Sequence, residues 1–145
     1  MRISNQQGLT DALLEFGKTH RFNSEYIQTM SHPSFLGQLS ILTGGVHVPN
    51  PSELLGSEVF KEYMDTLKKN FDFIIVDCAP VGTISDAIPV GNAVDGTIFV
   101  VSAKDTNRKD AANCVNLLQR SNVNVLGSVL TKADSGSGSY SYYYY

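Results

Sequence analysis

The chain has 145 residues, a formal charge of −3 and 42% hydrophobic residues, which together describe one ordinary globular domain. The weak negative charge excludes the concentrated basic face of a nucleic-acid binder, so no nucleic-acid partner is expected. No apolar run approaches the roughly 20 residues that span a bilayer, and the N-terminus lacks the apolar stretch of a signal peptide. Two cysteines, Cys78 and Cys114, cannot form a disulfide framework, which favours a reducing cytosol.

The first half of the chain is predicted to form three helices and one strand. Apolar residues recur at helical spacing in each helix, and glycine or capping residues mark the boundaries. The predicted elements are a helix over Gly8–Phe16 stopped by Gly17, an irregular stretch over 18–37, a strand over Gln38–Thr43, a helix that begins with a capping box of Asn50 and Glu53, and a helix from Ser57 to about Asn70.

The second half alternates strand and helix patterns. Continuous β-branched runs without alternation indicate strands buried on both faces of a parallel sheet. The predicted elements are a strand over Phe73–Val76, a short segment around Ser85–Ala93, a strand over Thr97–Val101, a helix over Asp105–Arg120 and a strand over Val123–Leu130. This order predicts an α/β domain over residues 1–132, followed by a flexible Gly/Ser linker and tyrosine cluster over 133–145.

Asp77 is the first candidate binding residue, because it directly follows the most hydrophobic predicted strand. Ligands of open parallel sheets lie beyond the carboxyl ends of the strands, so Asp77 is expected at that rim. Asp86 follows near the start of a short helix. An apolar strand ending in aspartate is the Walker B pattern, in which the carboxylate holds a hydrated Mg²⁺. The alternative is a strand that ends in a solvated or helix-capping aspartate.

The glycine-rich phosphate-binding loop G-x-x-x-x-G-K-[ST], which should match a Walker B strand, is absent from the sequence. Gly17-Lys18-Thr19 comes closest, but it follows a helix and is predicted to be a helix terminus. Cys114 and Arg120 have the C-x5-R spacing of a phosphatase loop. The residues between them include no glycine and follow a helical pattern, so this spacing is interpreted as coincidence.

Three stretches, VPNPSELLGS, FDFIIVDCAPVGTISDA and DGTIFVVSAKDTNR, closely resemble the cytoplasmic domain of bacterial tyrosine kinases. These are the P-loop-type kinases of capsular and exopolysaccharide export systems. The opening RISNQQGLTDALL resembles the segment just after the family's second Walker-like motif, and the family also ends in a tyrosine cluster. The resemblance implies a partial P-loop-type parallel sheet with flanking helices, lacking the N-terminal P-loop strand, plus a disordered tyrosine-rich tail. The missing strands are expected to leave an exposed sheet edge.

The resemblance also implies the chemistry. Asp77 would be the Walker B aspartate that acts on Mg²⁺ through water, Asp86 would lie near the same rim, and ATP would be the phosphoryl donor. The implied partners are a membrane-bound polysaccharide co-polymerase that activates the kinase, and a neighbouring subunit of a homo-oligomer or of an intact kinase. The implied location is cytoplasmic, at the inner face of the cell membrane. The implied autophosphorylation sites are Tyr140, Tyr142, Tyr143, Tyr144 and Tyr145.

The tail indicates a role outside the fold, because five of the seven tyrosines lie within the last six residues, behind the linker Ser135–Ser139. Five phosphotyrosines would add roughly −8 to −10 charges, ample to expel the tail from an acidic rim. Without a Walker A loop, we expect no catalysis by this chain alone. The alternatives are a non-catalytic phospho-acceptor modified in trans, a ParA-like ATPase, and a tail without a role.

Overall fold

The computed structural model describes residues 3–31 and 37–133 of the chain. The chain divides into two compact units, one up to Val94 and one from Asp95 onward. A parallel strand pair with flanking helices confirms the α/β prediction. The elements are α1 (Leu9–Thr19), β1 (Gln28–Met30), β2 (Leu39–Ile41), α2 (Pro51–Leu55), α3 (Glu58–Lys68), α4 (Ala87–Ala93), β3 (Thr97–Ser102), α5 (Arg108–Arg120) and β4 (Val125–Thr131).

The core of the first unit is formed mainly by α1 and α3. The apolar face predicted for α3 is confirmed, since it is buried together with residues of α1 and α4. Phe16 of α1 meets Tyr63 of α3 edge to face, with ring centroids 5.3 Å apart. Burial of each such side chain contributes about 1.5–3 kcal/mol. The core residues are Ala12, Leu13, Phe16, Phe60, Tyr63, Met64, Leu67 and Val90.

One predicted helix boundary and one predicted helix cap are wrong. Gly17 does not stop α1, which continues to Thr19. His20 follows it in a left-handed conformation with φ 50°. A Cβ at Gly17 would lie 3.4 Å from a side-chain methyl of Val59 in α3, which is an ordinary contact distance. Helix α2 begins after Asn50 with Pro51 in its first turn, as predicted, but its capping box is absent because the Asn50 side chain forms no cap hydrogen bond. The start of α3 is confirmed: the Ser57 hydroxyl accepts from the Phe60 amide at 3.2 Å.

The stretch predicted to be irregular, 18–37, contains a 3₁₀ turn at Ser24–Tyr26 and strand β1. β1 pairs antiparallel with β2, with Thr29 opposite Ser40. β2 is shorter than predicted. Strands of three residues are too short for a two-residue hydrophobic period to be recognised in the sequence.

The largest departure from prediction is at Phe73–Val76, where the structure has no strand. The chain is extended there, but no main-chain hydrogen bond joins residues 72–79 to another described residue. Ile74 and Val76 pack against the core, whereas Phe73 and Ile75 are 91% and 93% exposed. The prediction of a strand buried on both faces is therefore wrong. A strand takes its hydrogen bonds from neighbouring strands, and residues 3–31 and 37–133 supply none to this segment.

The second unit contains the parallel pair β3–β4, with Val100 opposite Val129. Both strands keep several apolar side chains largely exposed, including Ile98 and Leu126. Helix α5 begins three residues later than predicted, because Asn107 is its cap and accepts from the Asp110 amide at 2.8 Å. Within the described part of the chain, no helix is both long and apolar enough to cross a bilayer.

Candidate functional site

Asp77 lies at the end of the extended segment, where the sequence places it. Its side chain is exposed. It makes no hydrogen bond or ion pair to another residue that the structure describes. Since no internal partner uses this carboxylate, both of its oxygens are free to bind a hydrated cation.

Asp86 lies at the start of α4, and its carboxylate is held by Ser52. The Ser52 hydroxyl, on the first turn of α2, donates a hydrogen bond to the Asp86 carboxylate. The Ser52 oxygen is also 3.0 Å from the Ser85 hydroxyl oxygen. Asp86 does not cap α4 with its side chain. The carboxylate is instead fixed against α2.

Cys78 shows that the two aspartates share one electrostatic environment. Burial of the thiol raises the pKa of Cys78, and the negative charges of Asp77 and then Asp86 raise it further. A carboxylate has this effect only at short range, because it disfavours the thiolate by like-charge repulsion. That Asp77 and Asp86 lie at the same rim stays a prediction.

This arrangement fits one part of a nucleotide site and not the other. Mg²⁺ keeps several waters and takes one or two carboxylates, so a free Asp77 near a fixed Asp86 suits it. A triphosphate needs an array of main-chain amides and a lysine, and the sequence has no G-x-x-x-x-G-K-[ST]. These residues therefore fit Mg²⁺ bound through water, but they do not form a cradle for ATP.

The two decoy motifs are helical, as predicted. Gly17-Lys18-Thr19 forms the last turn of α1. Cys114 and Arg120 both lie within α5, so the residues between them form no phosphate-binding loop. Neither motif belongs to the site of Asp77 and Asp86.

Only two tyrosines lie among the described residues, and both are engaged within the fold. Tyr63 is 1% exposed in the core. The Tyr26 hydroxyl donates to the Glu15 carboxylate at 2.5 Å. That hydrogen bond, with burial and the Glu15 charge, raises the pKa of Tyr26 to about 12. The predicted phosphorylation sites, Tyr140 and Tyr142–Tyr145, lie outside the described residues, and their role stays a prediction.

Sequence reasoning missed Ser52 as the partner of Asp86, and Ser85 as the partner of Ser52. Both serines occur in stretches that resemble the kinase family, NPSELL and GTISDA. Nothing in a single sequence pairs Ser52 with Asp86, however, because the contact joins residues 34 positions apart. Only the packing of α2 beside α4 brings the two together.

The fold places the chain in a class, the P-loop-type α/β domains, of which it forms a part. Comparison with known proteins gives the family. The chain is 36% identical over 107 residues to CapB of Staphylococcus aureus, covering 74% of this chain and 47% of CapB. It is 31% identical over 142 residues to the tyrosine-protein kinase YwqD of Bacillus subtilis, covering 97% of this chain and 56% of YwqD.

A solved structure agrees with these relatives. The kinase domain of the Escherichia coli tyrosine kinase ETK matches with a TM-score of 0.74 and 29% identity, covering 98% of this chain and 53% of that domain. No protein-family model matches the chain. The chain belongs to the bacterial tyrosine kinases. It spans about half the length of the curated relatives it matches.

Proposed function

We propose that this chain is the part of a bacterial protein-tyrosine kinase that carries the Walker B aspartate and the tyrosine acceptors. One observation carries the proposal: the chain matches a tyrosine kinase over 97% of its own length. In the proposed reaction a tyrosine hydroxyl loses its proton and bonds to the γ-phosphorus of ATP, and the bond to the leaving ADP breaks. The acceptors would be Tyr140 and Tyr142–Tyr145.

Asp77 would hold Mg²⁺ through water, and Ser52 would keep Asp86 fixed beside it. Phosphoryl transfer depends mainly on positioning and charge neutralisation. This chain supplies carboxylates without an amide cradle, so we expect it to need the Walker A loop of a more complete kinase for activity. The alternative of a ParA-like ATPase has no support from the relatives named above.

The proposed partners and role follow the family. A membrane-bound polysaccharide co-polymerase would activate the kinase and bring it to the inner face of the membrane. A homo-oligomer or an intact kinase subunit would present or receive the tail. Phosphorylation of the tail would regulate capsular or exopolysaccharide synthesis and export through the added negative charge.

Mass spectrometry of the C-terminal peptide tests the proposal. The full chain is incubated with Mg-ATP, alone and with an intact homologous kinase. We expect phosphate on Tyr140 and Tyr142–Tyr145 only when the intact kinase is present. Tyr26 and Tyr63 are internal controls that should stay unmodified, because one is hydrogen-bonded and the other buried. An unmodified tail under both conditions would refute the proposed acceptor role. Phosphate with ATP alone, lost in Asp77→Asn, would instead show that catalysis needs no second polypeptide.

A further inference from the structure

Lys132, the residue just before the tyrosine tail, lies beside the turn that leads into helix α5. Strands β3 and β4 are parallel, with Ser102 opposite Thr131, so the chain leaves both strands at the same end of the pair. The Lys132 ammonium donates a hydrogen bond to the Asp105 carboxylate, with 2.5 Å between Nζ and Oδ2. This ion pair ties the origin of the tail to the turn before α5.

The carboxylates around this turn are already engaged within the fold. The Ser102 hydroxyl donates to the Asp105 carboxylate at 2.7 Å. The hydrogen bonds from Lys132 and then from Ser102 lower the pKa of Asp105, so this carboxylate stays ionised and paired near neutral pH. Asp110, in the first turn of α5, accepts from the Asn107 side-chain amide at 2.5 Å. Both carboxylates therefore have partners of their own.

Two cations at the start of α5 lack such partners. Arg108 and Lys109 are exposed, and neither makes a hydrogen bond or ion pair to another residue that the structure describes. They are the first two residues of the helix after its cap, Asn107. Cations are disfavoured there, because the helix dipole places positive charge at this end. Departures from such a local preference are expected where residues serve a function. Arg108 and Lys109 are therefore suited to bind an anion.

We propose that the phosphorylated tyrosine tail binds Arg108 and Lys109 of its own chain. An unmodified tyrosine has a pKa near 10 and is uncharged at neutral pH, so the unmodified tail has no charge with which to bind them. Each phosphotyrosine carries about −1.5 to −2 charges, and its oxygens accept charge-assisted hydrogen bonds, bidentate ones from arginine. The inference rests on the proposed function, because phosphorylation supplies the charge, and it adds where the phosphorylated tail binds.

The tether makes a weak site effective. Exposed ion pairs are individually weak, so a separate phosphopeptide is expected to bind poorly. Tyr140 follows Lys132 by eight positions, across the linker Ser135–Ser139. Eight flexible residues span about 14–17 Å on average, and a short flexible linker gives an effective concentration in the millimolar range. The bound tail would be withheld from phosphatases and from neighbouring subunits, which would prolong the phosphorylated state.

Dephosphorylation of a defined chain tests the proposal. The full chain is made with phosphotyrosine at positions 140 and 142–145 by ligation of a synthetic C-terminal peptide, so no kinase is needed. A tyrosine phosphatase is added at low salt, and phosphate loss is followed by mass spectrometry. Release should be roughly threefold slower than in Arg108→Gln/Lys109→Gln, because a tail at millimolar effective concentration is bound most of the time. In 1 M salt the Debye length falls to about 3 Å, so the difference should disappear.

Arg120→Gln is the matched control. Arg120 is exposed at the other end of the same helix, about 18 Å from Arg108 at 1.5 Å per residue. This substitution also removes one positive charge, and it should leave phosphate release as slow as in the unaltered chain. Circular dichroism should show the same helical content for every variant, because all three side chains are exposed. In NMR spectra, the amides of residues 105–110 should shift when the tail is phosphorylated.

Three results would overturn the proposal. The first is equal phosphate release from the unaltered chain and from the double variant. The second is equal acceleration by Arg120→Gln, which would show that only net charge matters. The third is protection that rises with protein concentration, which would assign the tail to a second copy. The proposed function can fail separately: a tail that no kinase phosphorylates would refute it, whereas the ligated chain carries its phosphates in either case.

Discussion

The helical core of the first unit and the strand-like segments of the molecule differ in how complete they are. Phe60 and Tyr63 of α3 are each 1% exposed against α1. Phe73 and Ile75 follow within a few residues of α3 and are almost fully exposed. In the second unit, Ile98 of β3 and Leu126 of β4 are also more than half exposed. The apolar side chains of the helical core are buried, whereas those of the strand-like segments are largely exposed.

The difference follows from how helices and strands obtain their hydrogen bonds. A helix satisfies its interior main-chain hydrogen bonds within its own sequence, so α1 and α3 need only each other to bury their apolar faces. A strand borrows its hydrogen bonds from neighbours and its cover from flanking layers. The helix pair can therefore bury its apolar faces while Phe73 and Ile75 stay exposed.

The largest expected effect is the contrast between two phenylalanines. Phe60→Ala should lower the free energy of unfolding by about 3–5 kcal/mol, because it leaves a cavity in the core. Phe73→Ala should change it by less than about 0.5 kcal/mol, because the side chain makes little contact. Urea unfolding followed by helical circular dichroism measures both. Equal losses would mean that Phe73 is packed in solution and would remove the contrast.

Tyr63→Phe tests the packing of the helical core. The Tyr63 hydroxyl is buried and has no hydrogen-bond partner among the described residues, and burial raises the pKa of Tyr63. An unsatisfied buried polar group costs about 1–3 kcal/mol. Removing it should therefore stabilise the core by about 1 kcal/mol in the same urea experiment. A loss of stability would show that the hydroxyl has a partner.

Ser57→Ala should cost about 1 kcal/mol, because the Ser57 hydroxyl accepts from the Phe60 amide and begins α3. Asn50→Ala is the matched control at the start of α2, where the asparagine forms no cap hydrogen bond. It should leave the unfolding midpoint nearly unchanged. A larger effect at Asn50 than at Ser57 would contradict the observed capping.

The smallest expected effect concerns the candidate site. Asp86→Asn removes a negative charge that raises the pKa of Cys78. The pKa should fall, and more thiolate should be present at pH 8. Alkylation of Cys78 by iodoacetamide, in a Cys114→Ser background, should therefore become roughly two- to threefold faster. Asp65→Asn, an exposed position on α3, makes the same charge change elsewhere and should have no effect. Equal alkylation rates in the two variants would show that the charge of Asp86 does not act on Cys78.

The helices could be predicted well because their determinants are local. The spacing of Phe60, Tyr63, Met64 and Leu67 and the capping serine at position 57 are all contained in a dozen residues, and the structure confirms them. The stop predicted at Gly17 was wrong, because α1 continues to Thr19 and the left-handed residue that ends it is His20.

Whether Phe73–Val76 forms a strand could not be predicted from these residues alone. Strand formation depends on neighbouring strands, which a single run of residues does not reveal. Its hydrophobicity fits a buried strand, and the structure leaves it extended and unpaired. For the same reason, only part of the candidate site could be predicted. Asp77 follows from a local pattern, whereas the hydrogen bond from Ser52 to Asp86 depends on tertiary packing.

Hydrogen exchange of the free chain, resolved by peptide, tests the central contrast most directly. We expect the amides of α3 to be strongly protected, because they open only when the core unfolds. Residues 72–79 should exchange close to the rate of an unstructured peptide, because their amides have no partner. Protection of residues 72–79 equal to that of α3 in a dilute, monomeric sample would contradict the account, since it would show that the segment is already paired within this chain.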